Sequence, residues 1–87
     1  MTYYVYMLKS ISNNKPKSYV GYTGNLSERI NKHNNNKGAK STRGYKWKLI
    51  YKKRFYSKSK ALSFEYKLKK DRKERSKIIY DFTKKKS

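Results

Sequence analysis

The sequence predicts an α+β domain: a small three-stranded antiparallel sheet flanked by helices, in the order β-β-α-β-α-α. Three observations predict it. Aromatic and branched residues concentrate in three runs, at residues 2–9, 18–22 and 47–56, as in strands. Between and after these runs, apolar residues recur at the i, i+3, i+4, i+7 spacing of helices. A chain of 87 residues holds one small domain, and helices laid on a short sheet give it a core.

The first run, TYYVYMLK, puts Tyr4, Tyr6 and Leu8 on one face and Tyr3, Val5 and Met7 on the other, because side chains alternate along a strand. Residues 10–17, SISNNKPK, carry the Ser, Asn and Pro of a turn. Residues 18–22, SYVGY, form a second strand of a hairpin, where Gly21 marks a close backbone approach. Residues 25–35 read as a helix, with Asn25 as N-cap and Glu28 three residues on, the spacing of a capping box. Asn34, Asn35, Asn36 and Gly38 end it, and residues 38–44, GAKSTRG, make a basic loop bounded by glycines. The third strand, WKLIYKKRFY, is expected to be irregular at Lys52 and Lys53. Ser57 or Ser59 caps a second helix that runs to Lys70, and residues 74–82 form a third with Ile78, Ile79 and Phe82 on one side. Residues 1–82 are read as the domain and residues 83–87 as a frayed basic tail.

Composition narrows the chemistry. Lys and Arg number 25 against 5 Asp and Glu, a formal charge of +20. Fourteen aromatic residues, 10 Tyr, 3 Phe and 1 Trp, supply the buried area that a chain only 34% hydrophobic otherwise lacks. The absence of Cys excludes disulfides, thiolate zinc sites and a cysteine nucleophile, and a single His excludes a multi-histidine metal site. Five carboxylates argue against a calcium or two-metal site. With no signal-peptide pattern after Met1 and no span-length apolar run, the expected compartment is the cytoplasm. The charge points to nucleic acid first. An acidic membrane surface is the weaker candidate, because the short apolar stripes of the helices are needed for the core.

Polar groups stand where core residues are expected. On the first helix, Leu26, Arg29, Ile30 and His33 share one face, and its two apolar residues must meet the sheet. Arg29 and His33 therefore border the core, where a guanidinium can fork onto a phosphate and an imidazole can exchange a proton near neutrality; they read equally as surface residues of a basic helix. On the second helix, Glu65 shares a face with Ala61, Phe64 and Leu68. A carboxylate there needs a cation, either a divalent metal or one of the many Lys and Arg side chains. Tyr6 and Tyr19 sit on adjacent strands, as packing residues or as phenols whose pKa a cationic site lowers toward general-base use. Glu28, Asp71, Glu74 and Asp81 read as ordinary helix-surface partners of lysines.

Taken together, these residues resemble the GIY-YIG nuclease superfamily, and within it the compact single-domain (YhbQ-like) branch. Tyr4-Val5-Tyr6 stands where the family has Gly-Ile-Tyr, and Tyr19-Val20-Gly21 where it has Tyr-Ile-Gly. Arg29 and His33-Asn34 follow in an R-x-x-x-H-N pattern. Gly38 to Thr42 matches a G-A-x-x-T segment, and Ala61 to Glu65 an A-L-x-x-E helix. Two departures stand out: Tyr4 replaces the first motif's glycine, and no Asn follows Asn36, where many relatives carry a later one.

The resemblance implies a metal-dependent endonuclease acting on DNA. It gives Tyr6 and Tyr19 the motif tyrosines' place, Arg29 the attacked phosphate and His33 a part in proton transfer. Glu65 would hold a single Mg²⁺ or Mn²⁺ ion that stabilises the departing 3′ oxygen. Either Tyr6 or His33 takes the proton of the attacking water, and the product carries a 5′-phosphate. With no reading helix evident, low sequence specificity and a preference for structured or single-stranded DNA are expected. The basic loop and its flank, Lys40, Ser41, Thr42, Arg43, Tyr45 and Lys46, would track phosphates, with Tyr45 and Trp47 able to stack on bases and Trp47 equally readable as a core residue. A partner protein could supply targeting, and the sequence identifies none. The alternative is a non-catalytic basic nucleic-acid-binding module, with steep salt dependence and no cleavage.

Overall fold

In the computed structural model, which describes residues 1–11, 17–35, 37–38 and 44–86, β1 (Tyr3–Ser10) lies between β2 (Ser18–Thr23) and β3 (Trp47–Phe55), giving the order β2-β1-β3. Both pairings are antiparallel, with Tyr6 opposite Gly21 on β2 and opposite Lys52 on β3. Three helices, α1 (Leu26–Asn34), α2 (Lys58–Lys70) and α3 (Arg72–Lys86), complete the predicted order β-β-α-β-α-α.

The alternation of β1 splits the core into two layers. Val5 and Met7 join Val20, Ala61, Leu68 and Ile78 on the face covered by α2 and α3. Tyr6 and Leu8 join Trp47 on the other face, with Leu26 and Ile30 of α1 packed against them. Both faces of this small sheet are therefore covered, and the side chain that faces α1 from the centre of β1 is Tyr6.

β3 changes parity to serve both layers. Its register passes from Leu49 opposite Leu8 to Tyr51 opposite Met7, so Ile50 is an extra residue, a β-bulge. The irregularity falls at Ile50 and not at Lys52 and Lys53 as the sequence suggested. The physical reason is the apolar spacing: Trp47 and Leu49 fill one layer, while Ile50, Tyr51 and Phe55 pack in the other, which strict alternation forbids.

Helix ends follow their capping residues. Asn25 Oδ1 accepts from Glu28 N at 3.2 Å, and its side-chain amide donates to Glu28 Oε2 at 3.3 Å, a variant of the expected box. Ser57, not Ser59, caps α2 by accepting from Lys60 N. Asp71, read from the sequence as a surface partner, instead caps α3, accepting from Glu74 N at 3.0 Å. α3 also starts earlier and runs through Lys86, past the expected end at residue 82. Thr83 Oγ1 donates to Ile79 O at 2.9 Å within that extension.

Candidate active site

Three elements bring the chemistry to one point. β1 supplies Tyr6, fully buried, and α1 supplies His33, also fully buried. Tyr6 Oη lies 2.8 Å from His33 Nε2. One helical turn before His33, Arg29 donates from Nε to Tyr6 Oη at 3.4 Å and also engages Tyr19. A guanidinium can only donate, so Tyr6 accepts from Arg29 and keeps its own hydrogen to give to His33. Tyr19 of β2 closes the group, its ring centroid 4.9 Å from that of His33 and 6.3 Å from that of Tyr6. The sequence pattern thus brings together Tyr6, Tyr19, Arg29 and His33.

Two glycines make the approach close. A Cβ on Gly21 would sit 2.5 Å from Tyr6 Cζ, nearer still to its hydroxyl, and 2.8 Å from Tyr19 Cε2. A Cβ on Gly38 would sit 2.5 Å from His33 Nδ1. One glycine backbone therefore lies against each member of the Tyr6–His33 pair. Gly21 is legible in the sequence as a glycine inside a strand; Gly38 reads as a helix stop, a loop boundary and the start of the G-A-x-x-T segment, none of which shows its contact with His33. Asn34 was likewise read as a stop, yet its amide spans to β3, accepting from Trp47 N at 2.6 Å and donating to Trp47 O at 3.2 Å. It fixes the end of α1, and with it His33, to the sheet.

Electrostatics set the protonation states. Burial pushes the Tyr6 phenol up to about 12, against the lowering pull of Arg29. The expectation that cationic surroundings lower this phenol is therefore reversed, because desolvation outweighs a single long hydrogen bond. Burial, helped by the Arg29 charge, moves His33 below the usual imidazole value, so His33 is neutral at pH 7 and can accept a proton. The Tyr6 bond holds Arg29 further into its charged form.

Glu65 comes from α2, which packs on β1 and β2. Its side chain is 18% exposed, and its charge adds to the upward shift of Tyr6. Lys69 Nζ lies 3.8 Å from its Oε2 and is half exposed, a weak pair that leaves the carboxylate available. Among the described residues no three His, Cys, Asp or Glu side chains cluster. A lone carboxylate suits Mg²⁺ or Mn²⁺, hard ions that keep most of their waters and take substrate phosphate oxygens.

Of the expected nucleic-acid contacts, Lys40, Ser41, Thr42 and Arg43 lie outside the described residues. Lys46 is exposed, with Nζ 3.4 Å from Asn34 O. Tyr45 is half-buried, with Trp47 on one side and the Lys17 ammonium 4.5 Å from its ring centroid. Trp47 itself is buried in the core beside Tyr6 and Leu8, so packing and not base stacking explains it. No described helix is long and apolar enough to cross a membrane.

The chain is similar to known proteins over most of its length. The family model for the GIY-YIG catalytic domain matches residues 2–78. A UPF0213 protein of Oceanobacillus iheyensis is 41% identical over 68 residues, spanning 77% of this chain and 76% of the relative. One from Limosilactobacillus reuteri is 40% identical over 83 residues, 91% of this chain and 83% of the relative. The solution NMR structure of a UPF0213 protein from Bacillus halodurans superposes with a TM-score of 0.54 at 35% identity, covering 92% of this chain and 84% of that one. The chain belongs to the GIY-YIG catalytic domain family.

Proposed function

We propose that the protein is a metal-dependent endonuclease that hydrolyses phosphodiester bonds in DNA with low sequence specificity, favouring structured or single-stranded substrates. The observation that carries this reading is the Tyr6–His33 hydrogen bond of 2.8 Å with Arg29 against the same phenol oxygen. A neutral imidazole, a phenol and a fixed guanidinium form a proton acceptor, a relay and an oxyanion stabiliser within one contact distance.

In the free protein neither Tyr6 nor His33 has solvent-accessible surface, while Arg29 and Tyr19 are half-buried. These two half-buried side chains, Arg29 and Tyr19, are in contact with the pair. A bound phosphate offers Arg29 a stronger, charge-assisted partner than the phenol. Moving from Tyr6 to that phosphate, Arg29 frees the oxygen that will receive a proton. The attacking water then gives its proton to Tyr6 Oη while Tyr6 passes its own to His33 Nε2. No free phenolate is required, which suits a phenol whose pKa is about 12. The water oxygen bonds to phosphorus, the bond from phosphorus to the 3′ oxygen breaks, the phosphate stays on the 5′ side, and the departing 3′ oxygen takes a proton from solvent to become a hydroxyl. Arg29 stabilises charge on the non-bridging oxygens. Glu65 would hold the divalent ion, which would supply Lewis-acid stabilisation of the departing 3′ oxygen.

The net charge of +20 supports binding led by phosphates and not by base edges. The test is single-turnover cleavage of end-labelled DNA with product-end analysis. The reading expects 5′-phosphate ends and a rate about 100-fold or more lower for Tyr6→Phe. Products with 3′-phosphates, or a Tyr6→Phe rate equal to wild type, would count against it.

A further inference from the structure

The bulge at Ile50 has a consequence for the sheet surface beside the site. Beyond it, Lys52 lies opposite Tyr6 and Arg54 opposite Tyr4. Directly opposed residues of an antiparallel pair share a face, so both cations stand on the face of Tyr6, Arg29 and His33. Without the extra residue they would stand on the face that α2 and α3 cover. Both are exposed, and neither pairs with a carboxylate among the described residues.

On the same face, Tyr4 lies two residues from Tyr6, about 7 Å along the strand. Tyr4, Leu26, Ile30, Leu49 and Lys52 line a groove of about 450 Å³ between α1 and β3. Its walls are the Tyr4 ring and aliphatic side chains, with the polar Asn25 and Ser27 and the cationic Lys52 also lining it, and Arg54 lies opposite Tyr4. A mainly apolar slot with an aromatic wall and a few polar groups suits a nucleobase, and cations along the slot suit its phosphates. Bases in a duplex stay stacked on their neighbours, so only an unpaired nucleotide can enter.

We infer that the Tyr4 groove is a nucleotide subsite: it takes the base of an unpaired nucleotide next to the scissile phosphate, stacked on Tyr4, with Lys52 and Arg54 on the flanking phosphates. Tyr4 stands where the family motif has glycine, and in this chain it supplies the stacking surface. The position relative to the scissile phosphate rests on the nuclease reading; binding of an unpaired base does not.

The test measures binding, in EDTA, to a fluorescent oligothymidine, to the same backbone made abasic and to a blunt duplex. Tyr4→Ala weakens oligothymidine binding about fivefold, the low end of base–aromatic stacking. It leaves the abasic strand and the duplex unchanged, and Tyr4→Phe behaves as wild type. Tyr4→Leu, which keeps an apolar side chain in the strand, shows the same selective loss if the alanine variant does not fold. Lys52→Ala and Arg54→Ala weaken oligothymidine and abasic strands alike and lower the salt slope by about 0.7 each. Equal effects of Tyr4→Ala on all three ligands, or none on any, overturn the inference. Cleavage, assayed separately, keeps the two claims apart: selective loss without cleavage upholds the subsite and removes the nuclease, whereas cleavage without selective loss removes the subsite alone.

Discussion

Replacing Gly21 by alanine puts a methyl group into space that Tyr6 already fills. The new Cβ would meet Tyr6 Cζ at 2.5 Å and Tyr19 Cε2 at 2.8 Å, each about 1 Å short of ordinary carbon contact. Tyr6 cannot retreat freely, because it is fully buried and its hydroxyl is bonded to His33. Overpacking of this kind costs about 1–3 kcal/mol, and loss of the Tyr6–His33 bond adds about 1 kcal/mol. For a domain of this size that total lowers Tm by about 10–25 °C. Activity falls further than stability, about 100-fold, because the relay atoms shift by a fraction of their contact distance. The assay is thermal unfolding by circular dichroism beside cleavage rate measured well below the variant's Tm. Gly24→Ala is the control: its Cβ meets nothing nearer than Thr2 O at 4.0 Å, so it stays within about 0.5 kcal/mol of wild type. A Gly21→Ala protein that melts and cuts like wild type would refute the reasoning, and so would a Gly24→Ala protein damaged to the same extent.

Other expectations follow from the same geometry. The pH–rate profile rises on an acid limb whose inflection lies below the usual imidazole value, because burial and Arg29 lower His33, and His33→Gln removes that limb. The unfolded chain takes up a proton on His33 before the native state does, so stability also declines as pH falls below about 6.5; denaturant titrations of His33→Gln show a flatter slope there. In the alkaline range the sign reverses: the native Tyr6 keeps its proton to about 12, so its contribution is intact below the ordinary phenol value of about 10 and is lost as pH rises through the native one. Absorbance titration at the phenolate band shows a late step that Tyr6→Phe abolishes. Asn34→Ala leaves the Trp47 backbone N–H and C=O without their side-chain partner and costs about 2 kcal/mol, measured by urea denaturation.

The order of elements was legible because strand and helix periods do not overlap in this sequence. Tyr6 and Leu8 against Val5 and Met7 were legible as the two faces of the first strand, and Leu26 and Ile30 as the helix face that meets the sheet. Arg29, His33 and Glu65 stood out because they occupy apolar stripes, and the structure puts Arg29 and His33 on Tyr6. What was illegible depends on pairing across the chain. The bulge at Ile50 shows locally only as broken apolar alternation along β3, and its position is fixed by the register of β3 against β1. Asp71 lies in the expected break after Lys70, but with the third helix read as starting at residue 74 its capping position does not show; the structure starts α3 at Arg72, directly after it. Gly38 and Asn34 act through partners in space, the His33 ring and the Trp47 backbone, so a local reading sees only a helix end. The pKa direction of Tyr6 needed its burial, since charge count alone points the other way.

The most direct test is a cleavage panel: labelled single-stranded, duplex and branched DNA with matching RNA, each in Mg²⁺, Mn²⁺ or EDTA. Wild type would run beside Arg29→Ala and Glu65→Ala. The account predicts cuts in DNA that require the metal and disappear in both variants while DNA binding by Glu65→Ala persists. Salt-sensitive binding with no cuts in either metal, or cuts that survive Glu65→Ala, would contradict it.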